Sequence, residues 1–110
     1  MAKKINSRMK GKNGELEISK ILREHGFSEA RRSQQYAGTN NDADVIGLPG
    51  IHVEVKRVER LQLENAMEQS IRDARPGEIP VVMHRKNRKP WLVTMELERW
   101  LELYKNQIPF

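Results

Sequence analysis

The chain has 110 residues, no cysteine, and 20 Lys and Arg against 15 Asp and Glu, a net charge of +5. This is the size of one domain spanning 1–110, and it excludes a disulfide scaffold, a thiolate metal site and a cysteine nucleophile. A pI near 9.7 fits an anionic partner, while no stretch nears the ~18 apolar residues of a membrane span and Met1-Ala2-Lys3-Lys4 opens no signal peptide, so a cytoplasmic protein without a membrane partner is expected.

Residues 1–12 carry Lys3, Lys4, Arg8, Lys10 and Lys12 with no acid and read as a basic arm. Glu15 to His25 reads as a helix with Leu16, Ile18, Ile21 and Leu22 as its apolar side, closed by Gly26. Phe27 to Gln35 allows a short edge strand around Arg31, Arg32 and Ser33, leading to the polar loop Tyr36-Ala37-Gly38-Thr39-Asn40-Asn41. Asp44–Leu48 and Ile51–Val58 flank Pro49-Gly50 as a hairpin, with Ile51, Val53 and Val55 on one face and His52, Glu54 and Lys56 on the other. Leu63, Ala66, Met67, Ile71 and Ala74 fall at helical spacing and Pro76-Gly77 ends that helix. Ile79–His84 and Pro90–Thr94 read as strands joined through the basic tip Arg85-Lys86-Asn87-Arg88-Lys89. Leu97, Trp100, Leu101 and Tyr104 mark a last helix with Thr94 as its N-cap. The order is αβββαββα, an α/β fold with a mixed sheet flanked by helices, and Trp91 and Trp100 are expected in its core.

The two basic clusters suit a phosphate backbone, the alternative being a solvated tail and hairpin tip. The acids matter more. A two-residue Pro49-Gly50 loop would put Asp44 opposite Val55 and bury its carboxylate on the apolar face. A three-residue Leu48-Pro49-Gly50 loop, with Gly50 in the left-handed position its turn requires, puts Asp44 opposite Glu54, with Cβ atoms about 5 Å apart. Two such carboxylates repel unless a cation or Lys56 neutralises them, which favours a divalent metal; the alternative is a polar sheet face balanced by Lys56 and Arg57.

With these residues in place, the chain resembles the PD-(D/E)xK nuclease superfamily, and over residues 10–85 its Holliday-junction-resolvase branch. Lys10-Gly11-Lys12-Asn13-Gly14-Glu15 running to Gly26-Phe27 matches that branch's opening helix; Asp44, Glu54 and Lys56 match the motif acids and lysine. Ala43 stands where the family often has Pro, and Asp42 and Glu17 are rivals to Asp44 and Glu15. The resemblance implies a restriction-endonuclease-like αβββαβ core, here with an added strand and C-terminal helix. It further implies an Mg²⁺-dependent endodeoxyribonuclease, Mn²⁺ substituting, with Glu15, Asp44, Glu54 and the Val55 carbonyl as metal ligands and Lys56 assisting the attacking water. The substrate would be branched DNA, foremost four-way junctions, in recombination or repair, and the enzyme a homodimer in a bacterial, archaeal or phage-infected cell. The same fold acting on flaps, single strands or duplex is the nearest alternative; a non-catalytic nucleic-acid-binding module comes from a different class. No small-molecule substrate is indicated.

Lys10, Lys12, Arg31, Arg32, Ser33, Arg57, Arg85, Lys86, Arg88 and Lys89 are the candidate nucleic-acid contacts. Gln69 is a candidate on the second helix, weighed against a solvated helix face. His25, His52 and His84 show no zinc spacing, and of the three only His52 faces the carboxylates.

Overall fold

The computed structural model describes residues 7–33 and 43–107, and these form three helices and a five-stranded sheet. In chain order the elements are α1 (Ser7–Glu24), β1 (Arg31–Arg32), β2 (Val45–Ile46), β3 (Ile51–Arg57), α2 (Leu63–Asp73), β4 (Ile79–Arg85), β5 (Leu92–Met95) and α3 (Leu97–Gln107). This is the αβββαββα order read from the sequence. The strands lie side by side as β1-β2-β3-β4-β5. Only β3 and β4 run parallel, because α2 carries the chain back between them; the other neighbours are antiparallel.

Helix α1 begins at Ser7 rather than at Glu15, so residues 7–12 of the expected basic arm are its first turns. Gly11, Asn13 and Gly14 conceal this in the sequence, being poor helix formers. Packing explains Gly14: a Cβ there would lie 3.2 Å from Arg57 Cβ and 3.3 Å from Val55 Cγ1, so the helix needs a bare backbone to lie this close to β3. The helix ends as expected at Gly26, whose φ of +100° lets Phe27 N–H donate to the Leu22 carbonyl at 3.0 Å.

The hairpin adopts the three-residue register. Val45 pairs with Val53, Gly50 has a φ of +78°, and Ile51 N–H donates to the Leu48 carbonyl at 3.2 Å. Ile18 of α1 packs on one face of the sheet with Val45, Val53, Val55, Val81 and Met83, and Trp91 is partly buried against them. Val82 looks the other way and is fully buried. Helix α2 packs against β4 and β3 through the small residues Ala66 and Ser70, and the Ser70 hydroxyl donates to the Val81 carbonyl at 3.0 Å. Ile71, expected on the buried side of α2, is instead exposed, because this closer contact turns it outward.

Two expectations about the last helix do not hold. Thr94 belongs to β5, where its hydroxyl lies 2.8 Å from His84 Nε2; the Glu96 carbonyl accepts the first α3 amides, those of Arg99 and Trp100. Trp100 is not a core residue: no residue of α3 is buried, and Trp100 stacks on Tyr104 in the open, ring centroids 5.2 Å apart. Among the described residues, no helix is long and apolar enough to cross a membrane.

Candidate active site

Strand β2 begins only at Val45, one residue after Asp44, and this late start shapes the site. Asp44 keeps a backbone bond on each side, accepting Ser33 N–H at 3.0 Å and donating to the Val53 carbonyl at 2.9 Å. Its side chain then takes over where the ladder stops: Oδ2 accepts the N–H of Val55 at 2.9 Å. The N–H and C=O of a strand residue leave on the same side, so the Val55 carbonyl points to the edge where Asp44 stands.

Glu54 is 2% exposed on the central strand. His52 Nε2 lies 2.9 Å from its Oε1, whereas the buried Oε2 has no hydrogen-bond partner. Burial first, and the charge of Glu54 second, push the Asp44 carboxyl up to about 7, against the opposing pull of the Val55 amide. Buried Glu54 and half-buried Asp44 are thus a mutually repelling pair, as the hairpin register anticipates. His52 is pulled down by burial, but the bond to Glu54 and the charges of Glu54, Glu78 and Asp73 leave it above the ordinary value.

Glu15 feels the charges of Glu54, Lys56 and Asp44 from the neighbouring helix, and burial raises its carboxyl above the ordinary range. Its own partner is Arg32, with Nε 2.7 Å from Oε1. The sequence offers no signal for this pairing. Among the described residues no three His, Asp or Glu side chains are gathered into a metal cage, so Asp44 and Glu54 are brought together while Glu15 is held aside on Arg32. The donor set nevertheless fits a hard divalent cation: carboxylate and carbonyl oxygens, one of them buried without a partner. Lys56 sits half-buried two residues along β3 from Glu54, opposite His84 of β4. Glu17, the rival to Glu15, is occupied elsewhere, 2.9 Å from Arg85 and 3.5 Å from Arg57. The other rival, Asp42, lies outside the described residues.

The basic candidates divide into two sets. Arg57 and Arg85 have side chains only 20% and 21% exposed and direct their charge at Glu17, Arg85 also lying over the Trp91 ring. Ser33 is buried, and its amide holds Asp44. Lys12, Arg31, Arg32, Lys86, Arg88 and Lys89 are exposed and Lys10 is half-exposed. Gln69 is half-buried on α2, between Ala66 and Ser70.

A mixed sheet in this connectivity, with Glu-x-Lys on its central strand and an Asp immediately before the strand beside it, places the chain among the PD-(D/E)xK nucleases. The family model described as Phage putative PDDEXK endonuclease matches residues 6–109, and the chain belongs to that family. A nuclease of this kind implies DNA as its substrate. No curated protein and no solved structure matches the chain.

Proposed function

We propose that the chain is an Mg²⁺-dependent endonuclease, Mn²⁺ substituting, that acts as a homodimer on branched DNA, foremost on four-way junctions, in recombination or repair in the cytoplasm. The observation that carries the metal reading is the Asp44–Glu54 pair with its buried, unpartnered Glu54 Oε2. Asp44, Glu54 and the Val55 carbonyl would hold the metal, joined by Glu15 once it leaves Arg32. Such a metal, when bound, makes a water acidic enough to attack and offsets charge on the phosphate. Lys56 orients that water or stabilises charge on the phosphate. Lys10, Lys12, Arg31, Lys86, Arg88 and Lys89 supply backbone contacts, and Arg32 joins them when it lets go of Glu15.

Helix α3 supports the homodimer. Leu97, Trp100, Leu101 and Tyr104 form one exposed apolar stripe. Arg99 and Glu102 pair within the chain at 3.2 Å, and two copies of the helix crossing antiparallel about a two-fold between Trp100 and Leu101 would bring each of them opposite its counter-charge on the other copy. A junction calls for two symmetric cuts, which a two-fold dimer delivers.

End-labelled four-way junction, flap, single strand and linear duplex incubated with Mg²⁺ test this, with EDTA and Glu54→Ala as controls. Paired symmetric nicks on the junction, lost in both controls while binding persists, are expected. Cutting of another substrate would retain the nuclease and discard the junction preference, and binding without cutting in Mg²⁺ or Mn²⁺ would leave a nucleic-acid-binding module.

A further inference from the structure

Glu54 and His52 are both almost fully buried, at 2% and 1% exposed, and are neighbours on the same face of β3. An ionised carboxylate can only accept, so at 2.9 Å the imidazole Nε2 carries a hydrogen and its N–H donates a hydrogen bond to Glu54 Oε1. The opposite ring nitrogen, Nδ1, lies 3.7 Å from Glu78 Oε1. Glu78 is itself fixed, because Oε1 accepts the Arg75 backbone N–H at 2.8 Å. A chain of contacts thus runs from the turn after α2, through Glu78 and His52, to one oxygen of Glu54. The other oxygen, Oε2, is buried and unpartnered.

A carboxylate rotates readily about its last torsion, and one with neither oxygen held would sample a broad range of orientations of its plane. Occupying Oε1 removes that freedom. We propose that His52 is the positioning residue for Glu54: by holding Oε1, it leaves Oε2 as the single oxygen offered to a divalent cation shared with Asp44. The assignment rests on the metal reading of Glu54. It differs from a purely structural role, in which any group that fills the imidazole's space and keeps the fold would serve equally well.

The test is Mn²⁺ binding to the full chain without DNA, followed by calorimetry, with thermal unfolding in EDTA as the measure of folding. His52→Leu fills the space without a donor, and is expected to weaken Mn²⁺ binding about 10- to 100-fold, the usual cost of removing a group that orients a metal ligand. His52→Gln places an amide N–H near the Nε2 position and is expected to recover binding to within about threefold. Should His52→Leu fail to fold, His52→Gln and His52→Asn decide between them, since the shorter amide does not reach Glu54; at least about fivefold tighter binding by Gln is expected. Wild-type affinity in a folded His52→Leu, or equal affinity of the Gln and Asn variants, overturns the proposal. Wild type and Glu54→Ala separate this failure from that of the metal reading. No Mn²⁺ uptake by wild type, or undiminished uptake by Glu54→Ala, overturns both, whereas uptake lost in Glu54→Ala but kept in His52→Leu overturns only the role of His52.

Discussion

Asp44 and Val55 are joined side chain to backbone at 2.9 Å just ahead of the start of β2, so the carboxylate does the work of a missing strand residue. The same contact holds it against Glu54, and this makes stability depend on pH. Asp44 titrates near 7 in the folded chain against an ordinary 3.8, so between those values the native state binds more protons than the unfolded one. Stability therefore falls as pH rises through that window, by up to ~1.4 kcal/mol for each pH unit crossed. In EDTA the wild-type melting temperature is expected to drop by several degrees between about pH 5 and about pH 8 from this group, whereas Asp44→Asn, which keeps an acceptor for the Val55 amide and sheds the charge, loses less and melts above wild type at the higher pH. Thermal unfolding of the two proteins across that range checks it. Adding Mg²⁺ at about pH 8 restores the wild type and leaves the variant unmoved.

The Arg32–Glu15 pair predicts opposite effects on metal and DNA. Arg32→Ala removes the cation that occupies Glu15, with the Arg32 side chain 41% exposed and the bond correspondingly modest. Mn²⁺ titration is expected to show binding tightened up to about fivefold, and a filter-binding assay DNA affinity weakened, with a shallower salt dependence.

For Lys56 the expectation is a loss confined to turnover. Lys56→Met keeps the stem and removes the ammonium, and kcat on whichever DNA is cut should fall by about 10²- to 10⁴-fold while Mn²⁺ affinity changes little. Single-turnover cleavage together with calorimetry separates the two.

The α3 stripe makes a prediction about assembly. Leu101→Glu puts a charge at the centre of the apolar side without disturbing any buried residue, since α3 has none. Light scattering coupled to gel filtration should show wild type at twice the chain mass and the variant at one, with melting of the monomer unit changed by less than about 1 kcal/mol. A wild type that runs as a monomer removes the dimer from the reading.

The local half of this architecture was legible in the sequence. Pro49-Gly50 with Gly50 in the left-handed position selected the register that sets Asp44 beside Glu54, and alternation along Ile51–Arg57 put His52 and Glu54 on one face. Gly26 marked the end of α1, a short-range backbone event. What escaped depended on partners distant in the chain. The start of α1 was hidden because Gly14 is chosen by contact with Arg57 and Val55, not by helix propensity. Arg85 is 68 positions from Glu17, and Arg32 is 17 from Glu15, so charges that read as free for phosphate are engaged inside the molecule. Trp100 misled for the opposite reason: its apolar spacing is real, but no other described element covers it.

The brevity of β2 has one more consequence. Glu54 and Lys56 stand on a strand that pairs with β4 over its whole length, Ile51 to Arg57, while Asp44 hangs from a strand that the ladder joins to β3 at one position, Val45 with Val53. The site therefore straddles two cooperative units of unequal strength. In hydrogen exchange the amides that join β3 to β4 should report global unfolding, and the Asp44 and Val55 amides, on the β2 side, a cheaper, local opening. A bound cation that bridges Asp44 and Glu54 would fuse the two, so that slowed exchange at the Val55 amide registers occupancy without any cleavage taking place.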